Sequence, residues 1–202
     1  MPGSISSIKT RIKSINSTKK ITGAMKSVST VKLNRMTKVT TKNNEYQKAL
    51  SNVADALLSS NIDFDSLYCA KKTGASLYIV FASDVGLCGS YNESLVSYIK
   101  NNVNKDSLLY VVGTSIYNNL KTLGYNVINN QLTSDDKNYY MISKIYNYVL
   151  NKYFNNEVAS IKIIYNKFVN SISYDTVCFD MLPFEVKEVK HDKEILLERD
   201  GK

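Results

Sequence analysis

The sequence predicts a long N-terminal helix of coiled-coil type followed by a small open α/β sheet of about five strands. Three observations lead there. An apolar stripe at 3-4 spacing runs through the first sixty residues, and proline is confined to Pro2 and Pro183. Beyond residue 76 the grammar changes to short apolar runs alternating with helix-period segments, the pattern of an α/β fold.

The first helix is expected over residues 4–59. Ile5, Ile8, Ile12 and Ile15 follow a 3-4-3 spacing, Met25 and Val28 resume it, and Met36, Val39, Tyr46, Leu50, Val53 and Leu57 continue it. The stripe is narrow, as in a coiled-coil seam. Between Asn16 and Gly23 it is interrupted, and the step from Ile15 to Met25 is a three-residue stammer against strict heptads. A connector covers 61–76. Leu77 to Ala82 then reads as a strand buried on both faces, followed by a turn with Gly86 and Gly89 and a helix from about Tyr91 to Val103. Leu108 to Val112 is a second strand, Ser115 to Leu123 a helix stopped by Gly124, and Tyr125 to Ile128 a third strand. Ser134 offers an N-cap with Asp135 and Asp136 in the first turn. Ile142, Ile145, Tyr146, Val149, Leu150 and Tyr153 give the helix behind it its 3.6-residue period, and Val158 to Ile164 and Tyr174 to Leu182 complete the strands. The domain division is then 1–60 for the helix, 61–76 for the connector, 77–190 for the α/β domain and 191–202 for a polar C-terminal segment.

Charge narrows the function. The chain carries a formal net charge of +8, and residues 1–48 hold 11 Lys and Arg against one acid, Glu45. The remaining 15 basic and 17 acidic residues nearly balance, so the basic excess sits wholly on the first helix. That asymmetry implies a polyanionic partner: nucleic acid, an anionic membrane surface or an acidic protein surface. A nucleic-acid-binding adaptor is the alternative reading, but no aromatic residue precedes Tyr46 to stack on bases. A membrane-surface helix would carry Trp, Phe or Leu where this one carries Ile and Val.

Catalytic patterns are absent from the sequence. The turn Asp84-Val85-Gly86-Leu87-Cys88-Gly89-Ser90-Tyr91-Asn92 stands where a strand passes into a helix, a common phosphate position. Its glycines make only G-x-x-G, with no dinucleotide or P-loop fingerprint, so it reads as a structural loop. Cys69, Cys88 and Cys178 form no Cys-x-x-Cys pair, and the sole histidine, His191, is remote from Cys88. Catalytic, cofactor-binding and metal residues are therefore all expected to be none.

Three separated motifs bear a resemblance. Ile12-Lys13-Ser14-Ile15 and Thr18-Lys19-Lys20-Ile21-Thr22-Gly23-Ala24-Met25-Lys26-Ser27-Val28, followed by Lys32 and Leu33, resemble the opening helix of F-type ATP synthase gamma subunits. Ser83 to Gly89, with Asn92 behind it, is similar to that family's S-D-x-G-L-C-G loop; Tyr165 to Asn170 and Leu182-Pro183 resemble its later segments. Gly23 stands where the family usually has Lys, and Val85 where it usually has Arg.

The resemblance implies a central-stalk subunit that carries torque and has no catalytic site of its own. It implies alpha and beta subunits of the catalytic ring, epsilon and the membrane c-ring as partners, on the cytoplasmic face of an energy-transducing membrane, with no nucleic acid and no cofactor. Lys19, Lys20, Thr22, Gly23, Ala24, Met25, Lys26 and Lys32 become the expected interface with catalytic subunits. Ile5, Ile8, Ile12, Ile15 and Val28 become the seam, and Asp84, Gly86, Leu87, Cys88, Gly89 and Asn92 the family loop. Family members pair their first helix with a C-terminal one; the expectation is that this chain lacks it, through truncation within or after 191–202.

Overall fold

The computed structural model describes residues 5–58, 68, 73–133, 139–170 and 173–184. The chain divides into two compact units, one of residues 1–60 with 189–202 and one of residues 61–188.

The first unit's described part is one helix, α1 (Ile5–Leu58). At about 1.5 Å per residue it is roughly 80 Å long. No proline interrupts it, and the polar stretch at Asn16–Lys20 does not break it. Every side chain described in it, Ile5 through Ala56, is exposed. Among the described residues, then, α1 buries none of its side chains, and its helicity rests on propensity and intrahelical bonds.

The second unit is an α/β sheet: β1 (Ser76–Phe81), α2 (Tyr91–Asn102), β2 (Leu108–Val112), α3 (Tyr117–Thr122), β3 (Asn126–Val127), α4 (Tyr139–Phe154), β4 (Ser160–Phe168) and β5 (Tyr174–Leu182). The strand order is β3-β2-β1-β4-β5. β1 pairs parallel with β2 and β4, β2 pairs parallel with β3, and β5 closes the edge antiparallel to β4.

Strand alternation sorts the core onto two faces. Val80, Ala82, Leu109, Val111 and Ile164 meet Leu95, Val96 and Ile99 of α2 and Tyr117 and Leu120 of α3. Leu77, Ile79, Tyr110, Val112, Ile161 and Leu182 meet Ile145, Val149, Leu150 and Tyr153 of α4. That two-sided burial explains why β1 and β2 read as continuous apolar runs.

Several boundaries differ from the sequence reading. The segment from Ser115 makes regular helix only at Tyr117–Thr122, because Ile116 supplies the N-terminal boundary and is itself buried. β3 shrinks to two residues: the Asn129 side chain takes over the next rung, accepting from Val111 N at 2.9 Å and donating to Val111 O at 2.8 Å. β4 runs on to Phe168, since β5 pairs with it from Ile161 to Phe168. The N-cap expected at Ser134, Asp135 and Asp136 lies outside the described residues, as do Cys69 and His191.

Candidate functional site

Two surfaces carry the residues singled out by the sequence. Each belongs to one unit.

On α1 the helical repeat separates residues adjacent in sequence. Lys19, Thr22, Gly23 and Lys26 stand at i, i+3, i+4 and i+7, so they share one face. Ile21, Met25, Val28 and Lys32 occupy another, at i, i+4, i+7 and i+11. Lys20 and Ala24, four apart, lie on a third strip. The expected interface is therefore not one patch but a collar around the helix, and Lys26 and Lys32 point to different sides. The seam behaves similarly. Ile5, Ile8, Ile12 and Ile15 form one stripe, but the ten residues from Ile15 to Met25 fall about 80° short of three full turns. Across the interruption the apolar stripe steps around the helix. All these aliphatic side chains are exposed, Val28 by 59%.

The hydroxyl residues of α1 bond to their own helix. Thr10, Thr18, Thr22, Thr30, Thr37 and Thr41 each donate to the carbonyl four residues back, at 2.8–3.1 Å, and Ser27 donates to Gly23 O at 3.2 Å. Thr22 Oγ1 also lies 3.1 Å from Lys19 O.

The second surface is the turn between β1 and α2. Asp84 ties it to the turn after β2: its Oδ1 accepts from Thr114 N at 3.0 Å and its carbonyl from Thr114 Oγ1 at 3.1 Å. Asn92 holds the other side, with Oδ1 accepting from Ser83 N at 3.2 Å and Nδ2 donating to Ser83 Oγ at 2.8 Å. Cys88 Sγ sits 3.4 Å from Asn92 Nδ2 and 3.8 Å from Ser83 Oγ, so the half-buried thiol is a packing and hydrogen-bonding element of the turn. Gly89 adopts φ +62°, a region that other residues enter at a cost. Leu87 takes φ +58° and is fully exposed, beside Val85, which is 72% exposed. A leucine in the left-handed region stores roughly 1–2 kcal/mol of strain, tolerated because the flanking bonds over-determine the loop.

The base of this turn is locked to the antiparallel edge. Asn166 Nδ2 donates to Tyr91 O at 2.8 Å, and its Oδ1 accepts from Thr176 Oγ1 at 2.6 Å. Ser90, in the N-cap position of α2, makes no capping bond; its hydroxyl pairs with Tyr174 OH at 2.7 Å. Burial, then the neighbouring Cys88 and Tyr174, push the Tyr91 phenol above its ordinary pKa. Asn166, Thr114 and Tyr174 were not singled out individually by sequence reasoning. The first lay inside the Tyr165–Asn170 motif, a usable signal; the other two carry no local signature.

The turn offers hydrogen bonds that are already used among its own members, with no nucleophile–base pair. Among the described residues no three His, Cys, Asp or Glu side chains gather to hold a metal ion, and no helix is long and apolar enough to cross a membrane.

The described residues thus make a single long basic helix and an open α/β unit with a pinned glycine turn. A family model described as ATP synthase matches residues 4–202. An ATP synthase gamma chain of Malacoplasma penetrans is 35% identical over 187 residues, covering 90% of this chain and 65% of that one. The ATP synthase gamma chain of Fusobacterium nucleatum is 32% identical over 209 residues, covering 98% of this chain and 72% of that protein. The chain belongs to the ATP synthase gamma chain family. It spans about two thirds of the length of the curated relatives it matches, from 65% to 72% in these two. The fold is also that of a chain in the cryo-EM structure of Euglena gracilis mitochondrial ATP synthase (OSCP/F1/c-ring), with TM-score 0.53 at 17% identity, covering 88% of this chain and 57% of the other.

Proposed function

We propose that the chain is a central-stalk subunit of a rotary ATP synthase. In this reading α1 is part of the shaft and the α/β unit its base. The chain couples ion flow through the membrane sector to nucleotide changes in catalytic subunits and breaks no bond itself. Its partners are the alpha and beta subunits of the catalytic ring, epsilon, and the c-ring, on the cytoplasmic face of an energy-transducing membrane. The observation that carries the reading is family membership over residues 4–202 together with an exposed basic helix of 54 residues. A helix that leaves its apolar stripe and its lysines in water is suited to a surrounding surface with acidic and apolar contacts. The pinned turn supports a second contact, with Leu87 and Val85 presented as a rigid apolar tip.

Affinity co-purification tests the class. Recovery of alpha and beta subunits in stoichiometric amounts is the expected result; recovery of nucleic acid alone would favour the adaptor reading and sink this one. Charge reversal then tests the interface. Lys19→Glu and Lys26→Glu share a face, so their effects on coupled ATP turnover should be less than additive, while Lys32→Glu should combine additively with either.

A further inference from the structure

We propose that α1 contains a built-in yielding point at residues 22–27, where the helix opens and bends more readily than in the turns on either side. The inference goes beyond the shaft reading, since it concerns the helix itself. Three features coincide there and nowhere else among the described residues of α1. Gly23 is the helix's single glycine, and a glycine inside a helix weakens it through backbone entropy. Immediately before it, the Thr22 hydroxyl lies within hydrogen-bond distance of two carbonyls, Thr18 O at 3.0 Å and Lys19 O at 3.1 Å, so one proton is shared between the carbonyls of consecutive residues. One turn after it, Ser27 donates to Gly23 O itself, at 3.2 Å. Each of these carbonyls also serves the i→i−4 ladder. A hydroxyl inserted there competes with the amide bond, and such competition bends helices.

The rest of α1 supplies the contrast. Thr37 and Thr41 repeat the back-bonding at Leu33 O and Thr37 O, but no glycine separates them. No neighbouring group braces Gly23 either: a Cβ added to it would meet nothing within 4 Å. Among the described residues no packing removes the conformational freedom of this position, and a methyl group can be added without a clash. The yielding point lies directly behind the step in the apolar stripe, since Ile21 already shares the face of Met25 and Val28, so a bend here redirects the later part of the stripe.

Hydrogen exchange on the full chain, alone and in whatever complex it co-purifies with, tests the idea. In the wild-type chain the amides of residues 22–27 should exchange faster than those of residues 37–44. Gly23→Ala should slow the former about fivefold, from helix propensity alone, and leave the latter unchanged. Thr22→Val should slow the same amides further, and Thr37→Val should not affect them. Equal exchange in the two wild-type segments, or a Gly23→Ala effect spread evenly over α1, would overturn the proposal. Failure to co-purify with alpha and beta subunits would instead count against the shaft reading, while the comparison of segments in the chain alone would still decide this one.

Discussion

The two units of this chain solve the burial problem in opposite ways. In the α/β unit, apolar residues close together at strand spacing meet helices on both faces of the sheet, and Leu77, Leu95, Leu109 and Ile161 are wholly buried. In α1 the same kinds of side chain, at coiled-coil spacing, remain exposed, from 40% at Met36 to 75% at Ile5. Burying an aliphatic side chain contributes about 1.5–3 kcal/mol relative to leaving it in water. The sheet makes that gain within one unit, whereas among the described residues α1 does not make it. Apolar content alone does not determine stability; the geometry that lets one stripe meet another does.

The largest effect expected from breaking this contrast is at Gly113. Its φ is +107°, and a Cβ there would come within 2.4 Å of Ala82 O, a backbone atom in the neighbouring turn. Gly113→Val should leave the α/β unit unfolded, read as loss of cooperative melting. Next come large-to-small changes. Tyr153→Ala, which empties a fully buried site between α4 and the sheet, should cost about 3–5 kcal/mol by denaturant melting, while Ile12→Ala in α1 should change the isolated chain's stability by less than about 0.5 kcal/mol. If the two cost the same, α1 is packed in solution and the contrast fails.

A smaller effect is expected at the pinned turn. Asn92→Ala removes the partner of Ser83 N and one partner of Ser83 Oγ and should cost about 1–2 kcal/mol, with faster proteolysis near Leu87 than near Thr114. Unchanged cleavage there would mean that Asp84 and Gly89 hold the loop without it. The smallest effect is at the surface pair Lys152–Glu157, 2.6 Å apart. The hydrogen bond from Lys152, then its charge, lowers the Glu157 pKa. A depressed carboxylate contributes its stability above the unfolded pKa and loses it as the pH falls through the folded one. Glu157→Gln should therefore shift the melting temperature slightly at pH 7 and not at all in strong acid; a large shift at pH 7 would mean the pair is more than a screened surface contact.

Legibility followed the range of the interactions. The seam spacing and the lack of proline marked α1 to within a residue at either end, and the apolar run Leu108–Val112 coincided with β2. The family loop was recognisable from Asp84, Gly86, Cys88, Gly89 and Asn92 as a string. What those residues do was not. Asp84 holds Thr114 and Asn92 holds Ser83, contacts that appear only once β1 and β2 lie side by side. The residues expected at an interface on α1 were read as one segment, and the helical repeat sorts Lys26 and Lys32 onto different sides.

By itself, then, the sequence determined a proline-free basic helix with a broken apolar seam, the alternation of buried strands with helices, and the position of a glycine turn. These are local properties, written in period, charge and breaker residues within a few turns of chain. The tertiary structure decided the strand order β3-β2-β1-β4-β5, the antiparallel edge, the use of Asn129 as a rung of the sheet, and the diversion of Ser90 from helix capping to Tyr174. Each of these rests on hydrogen bonds between residues 18 to 84 positions apart or on strand pairings across the sheet, and a bond of that range leaves no periodic trace in the sequence that makes it.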